Sequence, residues 1–170
     1  MNWFGNRKVS AYEARQLAER YLDQYGNMML RFAYTYLKNK EDAEDVVQDA
    51  LIKAIGAAAS FENETHEKSY LLKVVKNCCL DVLRKQRNHL NEELDENVSA
   101  EEKEDLSFVR EAVGKLPQNE REAIHLYYEE GYSTKEIAKL LGRKETTVRS
   151  DMMRGRNHLK AILKEEYDFE

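Results

Sequence analysis

The sequence predicts an all-α protein, with two small helical domains joined by an acidic linker and a helix-turn-helix in the C-terminal domain. Three observations support this fold. The 170 residues include one proline and seven glycines, and helix-favouring Ala, Leu, Glu and Lys are abundant. Apolar residues recur at helical spacing in both halves of the chain. A strongly acidic stretch separates the two halves, and each half alone can bury only a modest core.

The N-terminal domain is predicted to span residues 1–88 and to be helical throughout. Its apolar residues follow a helical period, with an interruption near Asn39–Lys40 and a polar stretch around Phe61. The predicted elements are a short amphipathic helix, a long helix, a polar loop and a third helix, in the order Tyr12–Tyr25, Gly26–Ile55, Ala57–Lys68 and Ser69–Arg87.

An acidic linker is predicted for residues 89–107. Within it, Asn91–Ser107 contains eight acidic side chains and a single basic one, Lys103. A polar run of like charge repels itself and tends to remain extended. We therefore expect a flexible linker, with a frayed helix as the alternative, and then a second domain at residues 108–170.

The C-terminal domain carries the signals of a helix-turn-helix. Ser133 and Glu136 have the spacing of a capping box, so a helix should begin there. Gly142 follows the apolar residues of that helix and suits its left-handed end. Val148 and Met152 supply the buried face of a second helix, which such a motif presents to the major groove of DNA. The alternative is a surface helix hairpin with solvated charges.

The charge of the chain is distributed in patches of opposite sign. Its net charge of −5 does not by itself suit a DNA-binding protein. However, Lys139–Lys164 contains eight basic and two acidic side chains, and Thr65–Leu90 contains six basic and two acidic ones. Local patches set the electrostatic field that a nucleic acid meets. Both segments are therefore candidates for contact with nucleic acid.

Several classes of protein are disfavoured by the sequence. No apolar run is long enough to cross a membrane, so the chain is expected in the cytoplasm. Cys78 and Cys79 are adjacent in a helical pattern and are expected to be reduced packing residues. The four histidines are scattered and form no metal-spaced cluster with these cysteines. Because no Gly-rich phosphate loop or nucleophile motif is present, we expect no catalysis, no cofactor and no small-molecule substrate.

Four runs of sequence share one resemblance. They are DAEDVVQDALIKAI at Asp42–Ile55, SYLLKVVKNCCLDVLRK at Ser69–Lys85, LPQNEREAIHLYYEEGYSTKEIAKLLG at Leu116–Gly142 and TTVRSDMMRGR at Thr146–Arg156. In this order they resemble the polymerase-gripping segment, the promoter-melting and −10-reading helix, and two parts of the −35-reading domain of the RNA polymerase sigma-70 family. The size and the two-domain pattern resemble its extracytoplasmic-function (ECF) group.

A candidate docking face lies in the first of these runs. Asp45, Gln48 and Asp49 are spaced i, i+3 and i+4, so they share one face of a helix. A compact patch of carboxylates and an amide suits a basic partner surface. The resemblance assigns that surface to the clamp helices of core RNA polymerase. An ordinary solvated helix face is the alternative.

The third predicted helix is a candidate for binding the −10 DNA. Cations on one helix face can hold phosphates, an amide can read a base edge, and unstacked bases need aromatic platforms. The resemblance places a flipped base near Phe61 and Asn77. Phe61 could instead fill the core, and Asn77 could bond to local backbone. The −10 candidates are Phe61, Tyr70, Lys73, Lys76, Asn77 and Arg84.

The second helix of the helix-turn-helix is the candidate for reading the −35 DNA. Arg149 and Arg154 lie about 140° apart around that helix, and we expect at least one of them to read a base. Arg156 and Lys160 are expected to be phosphate anchors or packing residues. The residues that match the family's −35-reading positions are Thr146, Thr147, Arg149, Ser150, Met153 and Arg154.

The chain departs from the family pattern at three positions. Tyr70 stands where the family usually has Trp, which leaves less surface for stacking. Thr146 stands where the recognition helix usually begins with Gly. Asp151 replaces a common Arg and is expected to place a negative charge beside the DNA. On that expectation, Asp151→Arg should strengthen promoter binding without changing the −35 preference.

The resemblance implies a sigma factor that binds core RNA polymerase, directs it to promoter DNA and helps to open the −10 element. It also implies an anti-sigma factor as a regulatory partner, which can hold the protein at the membrane. Two other classes remain as alternatives. An autonomous helix-turn-helix regulator would bind duplex DNA alone, but it leaves the match at Asp42–Ile55 unexplained. A helical adaptor that binds only protein leaves the basic patches unexplained.

Overall fold

A computed structural model describes residues 8–57, 60–89 and 107–167. The chain forms two compact units that divide between Asn97 and Val98. All regular structure in the described residues is helical, which confirms the predicted all-α fold. The division falls inside the acidic segment, but most of that segment lies outside the described residues. The flexible linker and the exact domain limits therefore stay predictions.

Three helices form the N-terminal unit, which comprises the described residues up to 89. They are α1 at Ala11–Leu37, α2 at Lys40–Ala57 and α3 at Glu64–His89. Each helix packs against the other two, so one apolar core lies between them. The residues at the centre of this core are almost completely buried: Met29, Phe32, Ala33, Val46, Leu71, Leu72 and Val75.

The first helix runs without the break that the sequence analysis placed between Tyr25 and Gly26. That prediction is wrong, because Gly26 is accommodated within the continuous helix α1. The predicted interruption near Asn39 is confirmed. Lys38 adopts the left-handed conformation with φ of 53°, and the Asn39 side chain accepts a 3.0 Å hydrogen bond from the backbone N–H of Asp42. A left-handed residue and a new N-cap thus end one helix and begin the next.

The third helix begins at Glu64 rather than at the predicted Ser69. The side chain of Asn63 accepts a 2.9 Å hydrogen bond from the backbone N–H of His66. Asn is one of the preferred N-cap residues, because its side-chain oxygen satisfies an amide that has no partner inside the helix. If Asn63 is not recognised as a cap, the residues before Ser69 resemble a polar loop, so the predicted start of the helix is a turn too late.

A buried carboxylate ties α1 to α3 in the N-terminal unit. Glu67 is 6% exposed, and it accepts hydrogen bonds from the two terminal guanidinium nitrogens of Arg20 at 2.9 and 2.6 Å. The Tyr25 hydroxyl donates a third hydrogen bond to Glu67 at 3.0 Å. The hydrogen bond from Arg20 holds the pKa of Glu67 below its ordinary value, so the carboxylate is charged where it joins the two helices.

Four helices form the C-terminal unit, which comprises the described residues from 107 onward. They are α4 at Ser107–Gly114, α5 at Gln118–Tyr128, α6 at Thr134–Leu141 and α7 at Glu145–Tyr167. The long helix α7 packs against the other three. The apolar centre of this unit consists of Ala112, Ala123, Leu126, Ile137, Val148 and Met152.

The predicted helix-turn-helix is confirmed in detail. The Ser133 hydroxyl accepts from the backbone N–H of Glu136, and the Glu136 carboxylate accepts from the backbone N–H of Ser133, which completes a capping box. Gly142 ends α6 in the left-handed region with φ of 65° and ψ of 35°. A Cβ at that glycine would meet nothing within 4 Å, so the backbone conformation rather than lack of space favours glycine. Val148 and Met152 are buried as predicted.

The helices α5 and α7 approach each other closely at Gly155. A Cβ on Gly155 would lie 3.0 Å from Cγ1 of Ile124 and 3.3 Å from Cβ of Glu120. Because glycine has no Cβ, α7 can pack tightly against α5 at this position. This contact fixes which face of α7 is turned inward and which face is left at the surface.

The two cysteines are free and buried, as the sequence predicted for packing residues. Burial raises the pKa of the Cys79 thiol to about 12 and also raises the pKa of Cys78, so both remain protonated at neutral pH. Over the described ranges, no helix is both long and apolar enough to span a membrane. The same residues contain no group of three His, Cys, Asp or Glu side chains placed to hold a metal ion.

Candidate nucleic-acid interface

The predicted docking face lies on the outer side of α2. Asp45, Gln48 and Asp49 are all exposed, whereas Val46 and Ala50 on the other side of the helix are buried in the core. The helix therefore presents two carboxylates and an amide together to solvent. This arrangement is the one that their spacing predicted.

Ile52 extends this face and was missed by the sequence analysis. Its side chain is 68% exposed, and it follows Gln48 by four positions and Asp49 by three. The same i, i+3, i+4 spacing that grouped the three polar residues would have identified it. A single exposed apolar residue is common on protein surfaces. Here it stands next to a compact charged patch, as apolar residues do near the centre of docking surfaces. We call Asp45, Gln48, Asp49 and Ile52 the α2 face.

Two candidate aromatic residues pack together at the start of α3. The ring centroids of Phe61 and Tyr70 are 5.1 Å apart, and those of Phe61 and His66 are 5.6 Å apart with nearly perpendicular planes. Phe61 and Tyr70 are both half-buried, so neither is a fully enclosed core residue. Burial raises the pKa of Tyr70, which keeps its hydroxyl protonated and able to donate a hydrogen bond.

The polar −10 candidates follow this aromatic pair along α3. Lys73 and Asn77 are exposed, and Lys76 is half-buried, so the helix presents cations and an amide at the surface. Arg84 is also exposed, and its Nη1 lies 3.3 Å from a carboxylate oxygen of Asp81. An exposed ion pair of this kind contributes only about 0–1 kcal/mol. Arg84 can therefore exchange Asp81 for a phosphate at little cost.

The −35 candidates occupy the solvent-facing side of α7. Thr146, Thr147 and Met153 are exposed, as are both candidate arginines. Met153 is 59% exposed, which places an apolar side chain among the polar ones. The half-buried Ser150 donates its hydroxyl hydrogen to the carbonyl oxygen of Thr146 at 3.0 Å, and its oxygen can still accept a hydrogen bond from a base.

Arg149 is held by an ion pair at the surface of the helix-turn-helix. Its Nη2 lies 2.8 Å from an oxygen of Glu145, and the Thr134 hydroxyl donates to the same oxygen at 2.9 Å. The Thr134 hydrogen bond and then Arg149 lower the pKa of Glu145. The first turns of α6 and α7 are thus joined beside Arg149 by a charged carboxylate.

Asp151 does not lie where the sequence analysis placed it. It was expected to place a negative charge beside the DNA, but its side chain is 2% exposed and lies inside the C-terminal unit. Its Oδ1 accepts a 2.6 Å hydrogen bond from Nη2 of Arg154, and its Oδ2 lies 3.6 Å from Nη1 of Arg143. An arginine at position 151 would have to enter the same interior. The expected gain in promoter binding from Asp151→Arg therefore loses its basis.

Arg156 and Lys160 are the two further basic residues of α7 that were expected to be phosphate anchors or packing residues. The Arg156 guanidinium lies 5.8 Å from the ring centroid of Tyr127 and 5.7 Å from that of Tyr128. Its Nε also donates to the Tyr128 hydroxyl at 2.9 Å. These contacts fit a packing role for Arg156, and its exposure to solvent fits the other role expected of it, that of a phosphate anchor. Lys160 is exposed.

The fold and these surfaces define a class of protein. A helix-turn-helix whose second helix carries exposed arginines is characteristic of DNA-binding proteins. The other helical unit presents the α2 face, and its helix α3 carries exposed cations beside an aromatic pair. This combination is typical of transcription factors that bind both a protein partner and DNA.

Comparison with known proteins establishes the family. Residues 21–89 match the model of sigma-70 region 2, and residues 109–159 match the model of sigma-70 region 4. The ECF RNA polymerase sigma factor SigM of Mycobacterium tuberculosis is 33% identical over 137 residues, which are 78% of this chain and 70% of that protein. RNA polymerase sigma factor SigV of Bacillus subtilis is 29% identical over 140 residues, which are 80% of this chain and 84% of that protein. The chain belongs to the ECF sigma factors of the sigma-70 family.

A solved structure agrees with this assignment. The sigma factor RpoE of Bartonella quintana, crystallised in complex with the anti-sigma factor NepR, matches with a TM-score of 0.75 and 28% sequence identity. The match covers 87% of this chain and 97% of RpoE.

Proposed function

We propose that this sigma factor binds core RNA polymerase through the α2 face, opens and reads the −10 element with α3, and reads the −35 element with α7. The proposal rests on one observation. Each of these three surfaces is exposed on a helix whose opposite side is buried in a core. Membership in the ECF sigma factors supports the overall role.

The α2 face has the chemistry of a protein-docking surface. Asp45 and Asp49 provide negative charge, Gln48 can both donate and accept hydrogen bonds, and Ile52 provides apolar area that is lost from water on docking. A basic partner surface with an apolar centre would match all four side chains. The clamp helices of core RNA polymerase are the proposed partner.

Separation of the −10 strands is proposed to depend on Phe61, Tyr70 and the polar residues of α3. The Phe61 ring is packed against Tyr70 on one side and remains half-exposed, so it is held in place while still accessible. A flipped base can stack on such a ring, and Asn77 can bond to its edge. Lys73, Lys76 and Arg84 would hold the backbone of the separated strand.

The −35 element is proposed to be read by the exposed side of α7. Arg149 and Arg154 carry donor-rich guanidinium groups suited to guanine. Thr146, Thr147 and Ser150 offer hydroxyl groups, and Met153 can contact a thymine methyl group. This side of the helix is free of the core because Val148, Met152 and Gly155 occupy the buried side.

Regulation by an anti-sigma factor is the remaining part of the proposal. The Bartonella quintana structure contains a similar sigma factor bound to its anti-sigma factor. We propose that an anti-sigma factor likewise binds this chain and limits its access to the polymerase. The chain would act in the cytoplasm, where it meets the polymerase, and it would contribute no catalysis of its own.

The docking assignment can be tested with Asp45→Arg combined with Gln48→Ala. Binding of the full chain to core RNA polymerase should weaken at least tenfold, while circular dichroism and the melting temperature stay close to those of the wild type. Asp23→Arg with Gln16→Ala makes the same changes on exposed residues of α1 and serves as the matched control. Unchanged affinity of the α2 variant would remove the assignment.

The role in strand opening can be tested with Phe61→Ala and Asn77→Ala. Both variants should bind the polymerase normally but form fewer open complexes, because loss of a base stack costs about 1–3 kcal/mol. Permanganate reactivity of −10 thymines reports the opening. Phe61→Tyr should retain most of the activity, and Asn27→Ala, at another exposed asparagine, is the control. A premelted promoter should partly rescue a variant that is defective only in melting, and reactivity equal to that of the wild type would exclude the proposed role.

A further inference from the structure

The buried carboxylate of Asp151 makes a direct contact with a candidate DNA-reading side chain. Asp151 is 2% exposed, yet its Oδ1 accepts a 2.6 Å hydrogen bond from Nη2 of Arg154. The Arg154 side chain is itself 53% exposed. The pair therefore connects the interior of the C-terminal unit to the surface that faces DNA in the proposed function.

A second buried carboxylate lies against the same edge of Arg154. The Nε of Arg154 is 3.7 Å from Oε1 of Glu120, and Glu120 is 5% exposed. The other oxygen of Glu120 is 2.7 Å from Nδ1 of His158. The Nε–Nη2 edge of the guanidinium thus faces the interior, whereas Nη1 takes part in neither contact. That nitrogen and the second hydrogen of Nη2 are left for a base or a phosphate.

Contacts of this kind orient an arginine before it meets DNA. Arginine has many rotamers, and immobilising it on binding costs conformational entropy. A partner that is itself fixed in the core removes part of that cost and selects one direction for the guanidinium. Arg149 differs in this respect, because its partner Glu145 is on the surface, with a side chain that is 37% exposed.

We propose that Asp151 is a positioning residue for −35 recognition, because it holds the Arg154 guanidinium in the orientation that reads a base. This inference rests on the proposed role of Arg154 in −35 reading. It also gives a reason for an acidic residue at a position where the family commonly has Arg. The carboxylate contributes to DNA recognition from the interior, without touching the DNA.

A further contact of Asp151 suggests a purely structural role, in which it would join the turn before α7 to that helix. Its Oδ2 lies 3.6 Å from Nη1 of Arg143 in the turn before α7. Arg143 in addition forms an ion pair with the buried Glu122 and donates to Asn119 at 3.0 Å. Asp151 could therefore act only as a clamp between the turn and the recognition helix, so a test must separate clamping from positioning.

The test measures −35 preference with the holoenzyme. Core RNA polymerase carrying each full-length variant is used to select promoters from a library in which the −35 hexamer is randomised, and the melting temperature of each variant is recorded. The variants are Arg154→Ala, Asp151→Ala, Asp151→Asn and the double variant Asp151→Ala with Arg154→Ala. Glu122→Gln weakens the Arg143 clamp without removing a partner of Arg154 and is the matched control.

The expected result has a distinct pattern. Arg154→Ala should reduce discrimination at one or two base pairs by about 5- to 150-fold. Asp151→Ala should reduce discrimination at the same base pairs, and the double variant should lose no more than Arg154→Ala alone. Asp151→Asn keeps the size of the side chain and an acceptor oxygen, so it should restore part of the preference. Glu122→Gln should leave the preference unchanged even if the unit becomes less stable.

Other outcomes overturn the inference in distinguishable ways. If both Asp151 variants weaken binding to all −35 sequences alike and keep the preference, Asp151 is only a clamp. If Arg154→Ala leaves the preference unchanged, Arg154 does not read a base and the positioning role fails with it, whereas promoter selection by the wild type still supports the sigma-factor role. A wild-type chain that selects no promoters with core polymerase would overturn both. If Asp151→Ala fails to fold, the near-isosteric Asp151→Asn decides between the two roles. A partial loss of discrimination at the base pairs read by Arg154 supports positioning, and an unchanged preference shows that Asp151 is only a clamp.

Discussion

The two units of this sigma factor differ in what they bury. Across the described residues of the N-terminal unit, one charged side chain is buried, that of Glu67, and the rest of the core is apolar. The C-terminal unit is smaller, yet five of its described Asp, Glu, Arg and His residues are buried, namely Glu120, Arg121, Glu122, His125 and Asp151. The stability of an apolar core does not depend on ion pairs. The stability of a charged interior does, because the loss of one partner leaves the other as an uncompensated buried charge.

This difference has a functional consequence. In the N-terminal unit, the α2 face is separate from the core, so surface residues there can change without affecting folding. In the C-terminal unit, Asp151 and Glu120 contact Arg154, which links the interior to the proposed −35 surface. Stability and polymerase docking should therefore be separable at the α2 face of the first unit, whereas stability and −35 recognition should be coupled in the second unit.

The largest effect is expected from a truncation in the apolar core. Phe32 is completely buried, so Phe32→Ala should destabilise the N-terminal unit by about 3–5 kcal/mol through lost burial and a residual cavity. Hydrogen exchange of the full chain, resolved by peptide, is the appropriate measurement. Protection should fall along α1 to α3 and remain along α4 to α7. An equal fall in both units would show that they unfold as one, which would break the comparison.

A loss of about 3 kcal/mol is expected from removing one buried charge in the C-terminal unit. Glu122→Ala takes away the carboxylate that pairs with Arg143, and breaking a buried ion pair leaves an uncompensated charge. Exchange protection should fall in α5 to α7. Glu129→Ala, at an exposed glutamate near the end of α5, should change stability by less than about 0.5 kcal/mol. Similar small effects for both variants would mean that the charged interior is not important for stability.

A smaller, pH-dependent effect is expected at the one buried carboxylate of the N-terminal unit. The pKa of Glu67 is lowered from its ordinary value of 4.5, so its contribution to stability is present above that value and is lost as the pH falls through the folded-state pKa. Glu67→Gln should cost about 2 kcal/mol at pH 7, and this difference from the wild type should shrink below pH 4.5. Urea unfolding at several pH values measures it, and a pH-independent difference would contradict the assigned ionisation.

The smallest effect on stability is expected on the α2 face. Ile52 is 68% exposed, so Ile52→Ser should change the free energy of unfolding by no more than about 0.5 kcal/mol. Binding to core RNA polymerase should nevertheless weaken several-fold, because apolar area would no longer be buried on docking. Parallel measurement of the melting temperature and of polymerase affinity sharpens the comparison. A large drop in melting temperature would show that this face is not separate from the core.

The parts of the fold that were predictable from sequence are those with local signals. The capping box at Ser133, the glycine turn at Gly142 and the buried Val148 lie close together in the chain, and the structure has all three as predicted. The start of α3 was missed because Asn63 was read as part of a polar loop rather than as an N-cap.

At the candidate site, the position of Asp151 was predicted wrongly. Asp151 is three positions after Val148 and next to Met152, so its helical phase places it beside the buried stripe. The prediction of an Asp151 beside the DNA rested instead on its charge and on the Arg that is common at this position in the family. Its buried position depends on two partners. Arg154 is its i+3 neighbour on α7, a spacing that is visible in the sequence, whereas the contact with Arg143 in the turn before the helix leaves no such local signal. The individual site residues remain predictions until they are tested by substitution.

The most direct measurement is transcription by purified core RNA polymerase from a library of genomic fragments, with and without this chain. If the chain is the proposed sigma factor, discrete start sites should appear only with the chain and should share one −10 and one −35 element. Those starts should vanish with Asp45→Arg combined with Gln48→Ala, and should shift to altered −35 sequences with Arg149→Ala or Arg154→Ala. Absence of chain-dependent starts, together with selective binding of duplex DNA by the chain alone, would contradict the account and indicate an autonomous regulator.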